Sequence, residues 1–493
     1  MGNNETKLTE QKYRPKEVSI QAECLPNAPR DRHTTTGLRV NPYSGLKPLI
    51  SSGEELAICS PTGEQDTTNT NNESEIAKTC YQDKLLPKCR ELGIPIEQQT
   101  IHYFLSNFVL LPRWSNNLGH MTYLMALMKT PDSTSTFALS LSAVSMGAFG
   151  NRPQSRSLRP RAFLKYMEAV KRVNTALRDP ELAKSDHTLA SVLLLGMFET
   201  IYSDKAITSW NNHMSGAVAL LKMRGKEIPK NPITRQLYLI VRAQVIPYCF
   251  AQSKTLDLPL DWWMSLSVPG MHSSSDTNLK VVDLKSKVDL ILTSRSRSLA
   301  KYEQVVQLAR QAEALEEEYV TWIAGLDAPW LFKTIVWNDR LPEEDEDSMC
   351  FPGKVDLYGG MWMANIWNMT RACRLLLSQV HLRCVAWLYG PRDYKTSPEY
   401  HKARVHCEIL IADIIASVPN FLGGVPEIDD DEGSTAGCAF PCGEGSRIVR
   451  KGVSGMFLLW PLSTAITSDF ASVAQRKWMA RKLRSTSACP RGG

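Results

Sequence analysis

The sequence lacks any Cys-x-x-Cys pair, although it holds 12 cysteines in 493 residues. The thiols are scattered, from Cys24 to Cys489, and several fall inside helical patterns. The usual spacing of a finger- or ribbon-type zinc site is therefore missing. No GxSxG, HExxH or phosphate-binding loop occurs, and no Rossmann glycine triad follows a strand. "GVSGM" at Gly452 has neither the spacing of a nucleophile elbow nor the strand that motif needs. These absences remove the common signatures of hydrolases, zinc proteases and nucleotide-dependent enzymes, and the expectation is a protein that is not an enzyme. Long apolar runs are also lacking. The longest stretches, "FVLLP" and "MFLLWPL", are too short to span a bilayer, and the polar N-terminus has no signal-peptide core. A soluble intracellular protein in a reducing compartment is expected, with most thiols acting as buried hydrophobes and no membrane partner. Charge of one sign is scarce too. A net charge of +6 is small for this length and does not mark a protein that coats nucleic acid.

What is present is helix. Hydrophobic residues make up 43% of the chain, enough for a sizeable core. Residues 1–95 are the exception. "SPTGEQDTTNTNNESE" cannot bury enough surface to offset its ordering entropy, so this region reads as a mostly disordered polar arm. From Ile96 onward the periods are helical. Ile101, Phe104, Leu105, Phe108 and Val109 share one face, and Pro112 stops that helix. Phe163, Tyr166, Met167, Val170, Val173 and Leu177 form a second stripe. "SDHTLASVLLLGMFETIY" opens with a Ser/Asp cap and is apolar on nearly all sides, which predicts a central helix. Trp362 to Trp387 keep intervals of three and four for about seven turns. An acidic loop falls at Pro342–Ser348, and a Gly-rich acidic loop occupies 423–447. No period-two strands and no short repeat are evident. The expected fold is all-α, a single large multi-helix domain over residues 96–487 behind the disordered arm.

Candidate sites are few. His213 sits beside the Trp210/Met214/Ala217/Leu221 face and reads as a hydrogen-bonded residue at the core edge. Gly216 suggests close approach of a second helix. Arg224 and Gly225 read as a helix end, with a cation near the last carbonyls and a glycine able to take the left-handed cap. Asp186, Glu199, Asn368, Arg371 and Arg374 lie in strongly apolar helices, where charges need partners. A pairing of Arg371 with an acid such as Glu199 would fix how two central helices meet. His381, Cys384, His401, His406 and Cys407 cluster in sequence, but their spacing favours buried thiols and surface histidines over a metal site. From Ala471 to the end there are six basic residues and no acid. Arg476, Lys477, Arg481, Lys482 and Arg484 read first as a solvated helix face, and second as a nuclear-import or phosphate-contacting patch.

Five pieces in order carry a resemblance: "ALSLSAVSMGAFGNR", "YMEAVKRVNTALRDPELAKSDHTLASVLLLGMFETI", "SWNNHMSGAVALLKMRG", "WMANIWNMTRACRLLL" and "QRKWMARKL". With Asp186, Glu199, Trp210, His213, Gly216, Arg224, Asn368 and Arg371 in place, residues 100–485 resemble the fungal-specific transcription factor domain. That domain follows the binuclear zinc cluster of many fungal regulators. The resemblance implies a nuclear transcriptional regulator, of a metabolic gene set for example, with an all-helical regulatory body that dimerises or receives signals. It also implies that His213 belongs to the architecture and is not a catalyst. The family's DNA reader needs six cysteines in two Cys-x-x-Cys halves, whereas only Cys24, Cys59, Cys80 and Cys89 precede residue 95. The expectation is therefore no zinc cofactor in this chain and contact with DNA only indirectly. Its partners would be a second copy, a DNA-binding regulator or a small-molecule effector. Two rival readings are a helical small-molecule binder or enzyme with a pocket between helices, and a helical scaffold for protein–protein interaction.

Overall fold

Helices apolar on almost every side must be surrounded, and the fold is the arrangement that surrounds them. The computed structural model describes residues 93–111, 119–132, 135–202, 206–225, 231–266, 274–293, 296–339, 349–422 and 451–487, all within one compact unit. The polar arm up to residue 92, the acidic loop 342–348 and the Gly-rich loop 423–447 lie outside the described residues. Among those described there are fifteen α-helices and one two-stranded sheet.

The first half runs α1 (Ile96–Phe108), α2 (Tyr123–Leu127), α3 (Thr136–Gly150), α4 (Arg159–Ala176), α5 (Pro180–Ala183), α6 (Asp186–Tyr202) and α7 (Ala206–Arg224). Thirteen of the fifteen residues of α3 are buried, and Thr188 to Phe198 of α6 form one continuous buried run. Each buried leucine of α6 contributes roughly 1.5–3 kcal/mol relative to exposure. Ser185 starts α6 by accepting the Thr188 N–H at its hydroxyl, at 3.1 Å.

α4 departs from the expected stripe. Its buried residues are Ala162, Ala169, Val173 and Ala176, while Phe163 and Met167 are 43% and 51% exposed. Small side chains face α3 because they let the two backbones approach. Phe163 turns outward, whereas Tyr166 packs on the core: Tyr166 lies 4.5 Å from the buried Phe198, and Phe198 lies 4.8 Å from Tyr202, between ring centroids.

The close-approach glycine also differs from expectation. A Cβ on Gly216 would meet Val192 at 3.9 Å, an ordinary contact, whereas one on Gly147 of α3 would lie 2.9 Å from the Phe198 ring. Gly216→Ala is therefore expected to raise stability by about 0.5–1 kcal/mol through backbone entropy. Gly147→Ala is expected to lower it by about 1–3 kcal/mol by forcing a stacked ring aside. Urea unfolding of the two variants checks this, and equal midpoints would contradict it.

The second half runs α8 (Pro232–Gln252), α9 (Leu260–Met264), α10 (Ser274–Thr293), α11 (Leu299–Ala324), β1 (Lys333–Asn338), β2 (Gly353–Leu357), α12 (Met361–Tyr389), α13 (Pro398–Leu422), α14 (Gly452–Thr467) and α15 (Val473–Ser487). Side chains mark two helix starts. Asn231 accepts the Ile233 N–H at 2.9 Å before α8, and Ser298 accepts the Lys301 N–H at 3.2 Å before α11. α12 is the hub, packed on α10, α11, α13 and α14. α13 is long and apolar enough to cross a membrane by length and composition, although polar residues interrupt its apolar runs. Two-thirds of its most apolar window is buried in the protein, as expected for a core helix.

The hairpin of β1 and β2 was not expected from sequence. Its strands pair antiparallel, Lys333 with Leu357 and Asn338 with Gly353. A bulge between Thr334 and Val336 breaks the period of two, and a long connection replaces the tight turn that would have signalled a hairpin. The hairpin packs on α13. That contact brings Lys354, Asp356 and Tyr358 over α12.

Candidate functional site

The residues singled out for their setting fall into two polar clusters, one in each half of the body. The first ties α6 to α7 at both ends. Asp186 opens α6, and its Oδ1 accepts from Arg224 Nη1 at 3.0 Å. Its Oδ2 accepts from Thr234 Oγ1 at 2.6 Å, at the start of α8. Arg224 also donates to the Ser185 carbonyl and sits over the Tyr238 ring. One carboxylate thus joins three helix ends, with the acid at an N-terminus and the base at a C-terminus, as their dipoles favour. Arg224 does not cap its own helix, as the sequence suggested, but reaches across to α6. Gly225 follows at φ +89°, a conformation that suits glycine.

At the other end of the pair, Glu199 Oε1 accepts from the Tyr166 hydroxyl and lies 3.0 Å from His213 Nε2. Burial and the adjacent carboxylate push the Tyr166 phenol well above its usual range. His213 therefore fastens α7 to α6. The side chain of Trp210 lies outside the described residues.

The second cluster is centred on Arg371 of α12, which is 1% exposed. Its Nη1 donates to the Tyr358 hydroxyl at 2.6 Å and to Asn368 Oδ1 at 3.1 Å. Its Nε lies 3.7 Å from Asp413 Oδ2 on α13. The rings of Phe332, Trp367 and Tyr358 surround the guanidinium at 5.0, 5.2 and 5.6 Å. Asn368 in turn donates to Ser417 Oγ at 2.7 Å. Asp413 is shared with Lys354 at 2.7 Å, and Lys354 lies 3.3 Å from the fully buried Asp356. Arg371 thus pairs with Asp413 and not with Glu199, whose carboxylate already serves Tyr166 and His213. An apolar setting shows that a buried charge needs a partner, but it does not say which helix supplies it.

Beside Arg371 lies a cavity of about 380 Å³. Ile323, Leu331, Phe332 and Trp367 form its apolar walls, and Thr370, Arg371, Arg374 and Asp413 its polar ones. Arg374 is held by Glu316 of α11, at 3.0 Å from its Nε. Thr370 is engaged by Ser274 Oγ at 2.8 Å and by the Ile366 carbonyl at 2.9 Å. Sequence reading missed Lys354, Asp356, Tyr358 and Asp413. Asp413, within "ILIADIIA", carries the same signal that singled out Arg371, a charge in an apolar run.

The remaining candidates disperse. His381 lies 3.6 Å from Glu313 and His406 lies 3.3 Å from Glu316, and burial lowers both imidazoles below their usual value. Cys384 and Cys407 are buried, which pushes each thiol up to about 11. His401 is exposed. Among the described residues, no group of three His, Cys, Asp or Glu side chains is placed to hold a metal ion. The C-terminal basic patch is not one surface. Lys482 is buried and stacks over Trp478, and Arg476 donates to the Ser468 carbonyl at 2.7 Å. Arg481 is half-buried, and Lys477 and Arg484 are exposed.

Residues 99–316 match the model of the fungal specific transcription factor domain. This span holds the whole α6–α7 clamp and ends before Asn368 and Arg371, short of the 485 to which the sequence resemblance extended. The chain is similar to Transcription factor dbaG of Emericella nidulans, with 22% identity over 328 residues, 66% of this chain and 74% of that protein. It is also similar to an uncharacterized protein of the same fungus, 26% identical over 123 residues, about a quarter of either chain. No solved structure matches.

Proposed function

From a chain whose residues 99–316 carry a fungal specific transcription factor domain, we infer a fungal transcriptional regulator. The observation that carries this reading is the domain match together with the extended similarity to a transcription factor. The clamp residues Asp186, Glu199, His213 and Arg224 fit the same reading, since each makes a side-chain contact that fixes helix against helix. We propose that the body is regulatory, works in the nucleus without catalysis, and reaches DNA through a second copy or a DNA-binding partner.

Tethering tests this directly. The full chain fused to a heterologous DNA-binding domain is expected to change a reporter with matching sites at least threefold, up or down, relative to that domain alone. A reporter unchanged in both activation and repression formats would overturn the reading. Nuclear import has its own test. Replacing the surface-reaching Lys477, Arg481 and Arg484 with glutamine is expected to move a fluorescently tagged chain toward the cytoplasm. An unchanged distribution would remove the patch from that role.

A further inference from the structure

We propose that the cavity beside Arg371 is the binding site of a small, flat, uncharged molecule carrying a carbonyl-type oxygen. Its volume of about 380 Å³ falls within the range of small-molecule pockets, and half of its lining side chains are aromatic or aliphatic. The Phe332 and Trp367 rings stand at 88° to each other, 5.1 Å between centroids, which gives a planar body both a face and an edge to pack on.

The polar requirement comes from Arg371. Its Nη1 and Nε are engaged, but its Nη2 is buried and has no hydrogen-bond partner among the described residues. A buried guanidinium nitrogen without an acceptor is costly; Arg371 lines the cavity, so a small turn of its fork toward that space would let an acceptor oxygen there satisfy Nη2.

The charge state of the ligand follows from the neighbours. Arg371, Arg374 and Lys354 are matched by Asp413, Glu316 and Asp356, three cations against three carboxylates. The site is already neutral. A full anion would add an unmatched charge beside a neutral cluster and would meet the Asp413 carboxylate in the lining. A ketone, aldehyde or amide oxygen meets the need of Nη2 without that penalty.

The location suits regulation. The walls come from α11, α12, α13 and the segment leading into β1, so an occupant would bridge the hairpin to the hub helix. The proposal rests on the regulatory reading above for its consequence, but binding is measured without DNA or transcription, so either can fail alone.

The experiment is fluorine NMR on the full chain with three probes of one shape. These are 4′-fluoroacetophenone as the neutral acceptor, 4-fluorobenzoate as the anion, and 4-fluoroethylbenzene with no acceptor. Ten heavy atoms at ordinary ligand efficiency correspond to a Kd of about 1–10 mM. The ketone is expected to give saturable broadening in that range, with the other two about tenfold weaker. Leu331 is 49% exposed at the rim, so Leu331→Trp can fill the cavity without disturbing the core, and it is expected to abolish ketone binding. Arg371→Lys, folded by circular dichroism, keeps the charge but loses the planar fork, and is expected to weaken the ketone at least fivefold. No saturable ketone binding would overturn the proposal. So would ketone binding that survives Leu331→Trp, benzoate binding tighter than the ketone, or ethylbenzene binding equally well.

Discussion

Arg371→Ala is expected to cost about 3–5 kcal/mol of stability, the range for removing one member of a buried charge pair. The substitution removes the Arg371 hydrogen bonds to the buried Tyr358 hydroxyl and to Asn368 Oδ1, and takes the guanidinium from Asp413, which keeps Lys354. It also opens a void among Phe332, Trp367 and Tyr358, adding a cavity cost to the polar one. Because Tyr358 and Lys354 belong to or border the hairpin, the loss should appear first as looser packing of β1 and β2 on α13. Urea unfolding at neutral pH measures the total, and hydrogen exchange at Val355 and Tyr358 locates it. Arg172→Ala, which breaks an exposed pair with Glu168 on α4, serves as the control and is expected to change stability by less than about 0.5 kcal/mol. A loss below about 1 kcal/mol for Arg371→Ala would contradict the account of the second cluster.

Acid should weaken the protein through His120. Its ring lies 5.6 Å from Trp362 and 4.9 Å from Phe457, and its Nε2 is buried without a partner among the described residues. Part of the residue reaches the surface, but the imidazole nitrogen does not, and desolvation pushes its pKa down to about 4 from 6.5. Above pH 6.5 the side chain is neutral in both the folded and the unfolded chain, so it adds no pH dependence. Between pH 6.5 and 4 the unfolded chain binds a proton that the folded chain refuses, and stability falls. At about 1.4 kcal/mol per pH unit the loss reaches at most about 3 kcal/mol by pH 4, then levels off. His381 and His406, also lowered by burial, add to the trend in the same direction. His120→Phe keeps a ring between Trp362 and Phe457, and among the described residues no partner of Nε2 is lost. The variant is expected to remove about 3 kcal/mol of the acid loss while leaving stability at pH 7.5 within about 1 kcal/mol. Stability curves for both proteins from pH 7.5 to 4 decide the matter, and parallel curves would rule His120 out.

Sequence by itself determined the helices and which of them are central. Period, caps and stops are local, and "TLASVLLLGMFE" has no polar face on which to lie at a surface. It also determined that Asp186, Glu199, Asn368 and Arg371 need partners, because a polar group in an apolar run has no other way to be satisfied. The similarity to the regulatory domain was legible for the same reason, being carried by apolar helices with those residues inside them.

Partner choice was decided only by the tertiary structure. Arg371 looks equally suited to Glu199 and to Asp413 until the hairpin and α13 are in place, and Arg224 looks like a cap of its own helix until α6 lies beside it. The same holds for α4, where helical period alone does not distinguish the alanine stripe that packs from the Phe163 and Met167 stripe that does not. The hairpin was hidden because a bulge and a long connection erase its local signal. The cavity was hidden because its walls come from four segments that only packing brings together. Local sequence sets the cost of leaving a group unpaired, whereas long-range packing sets which group removes that cost.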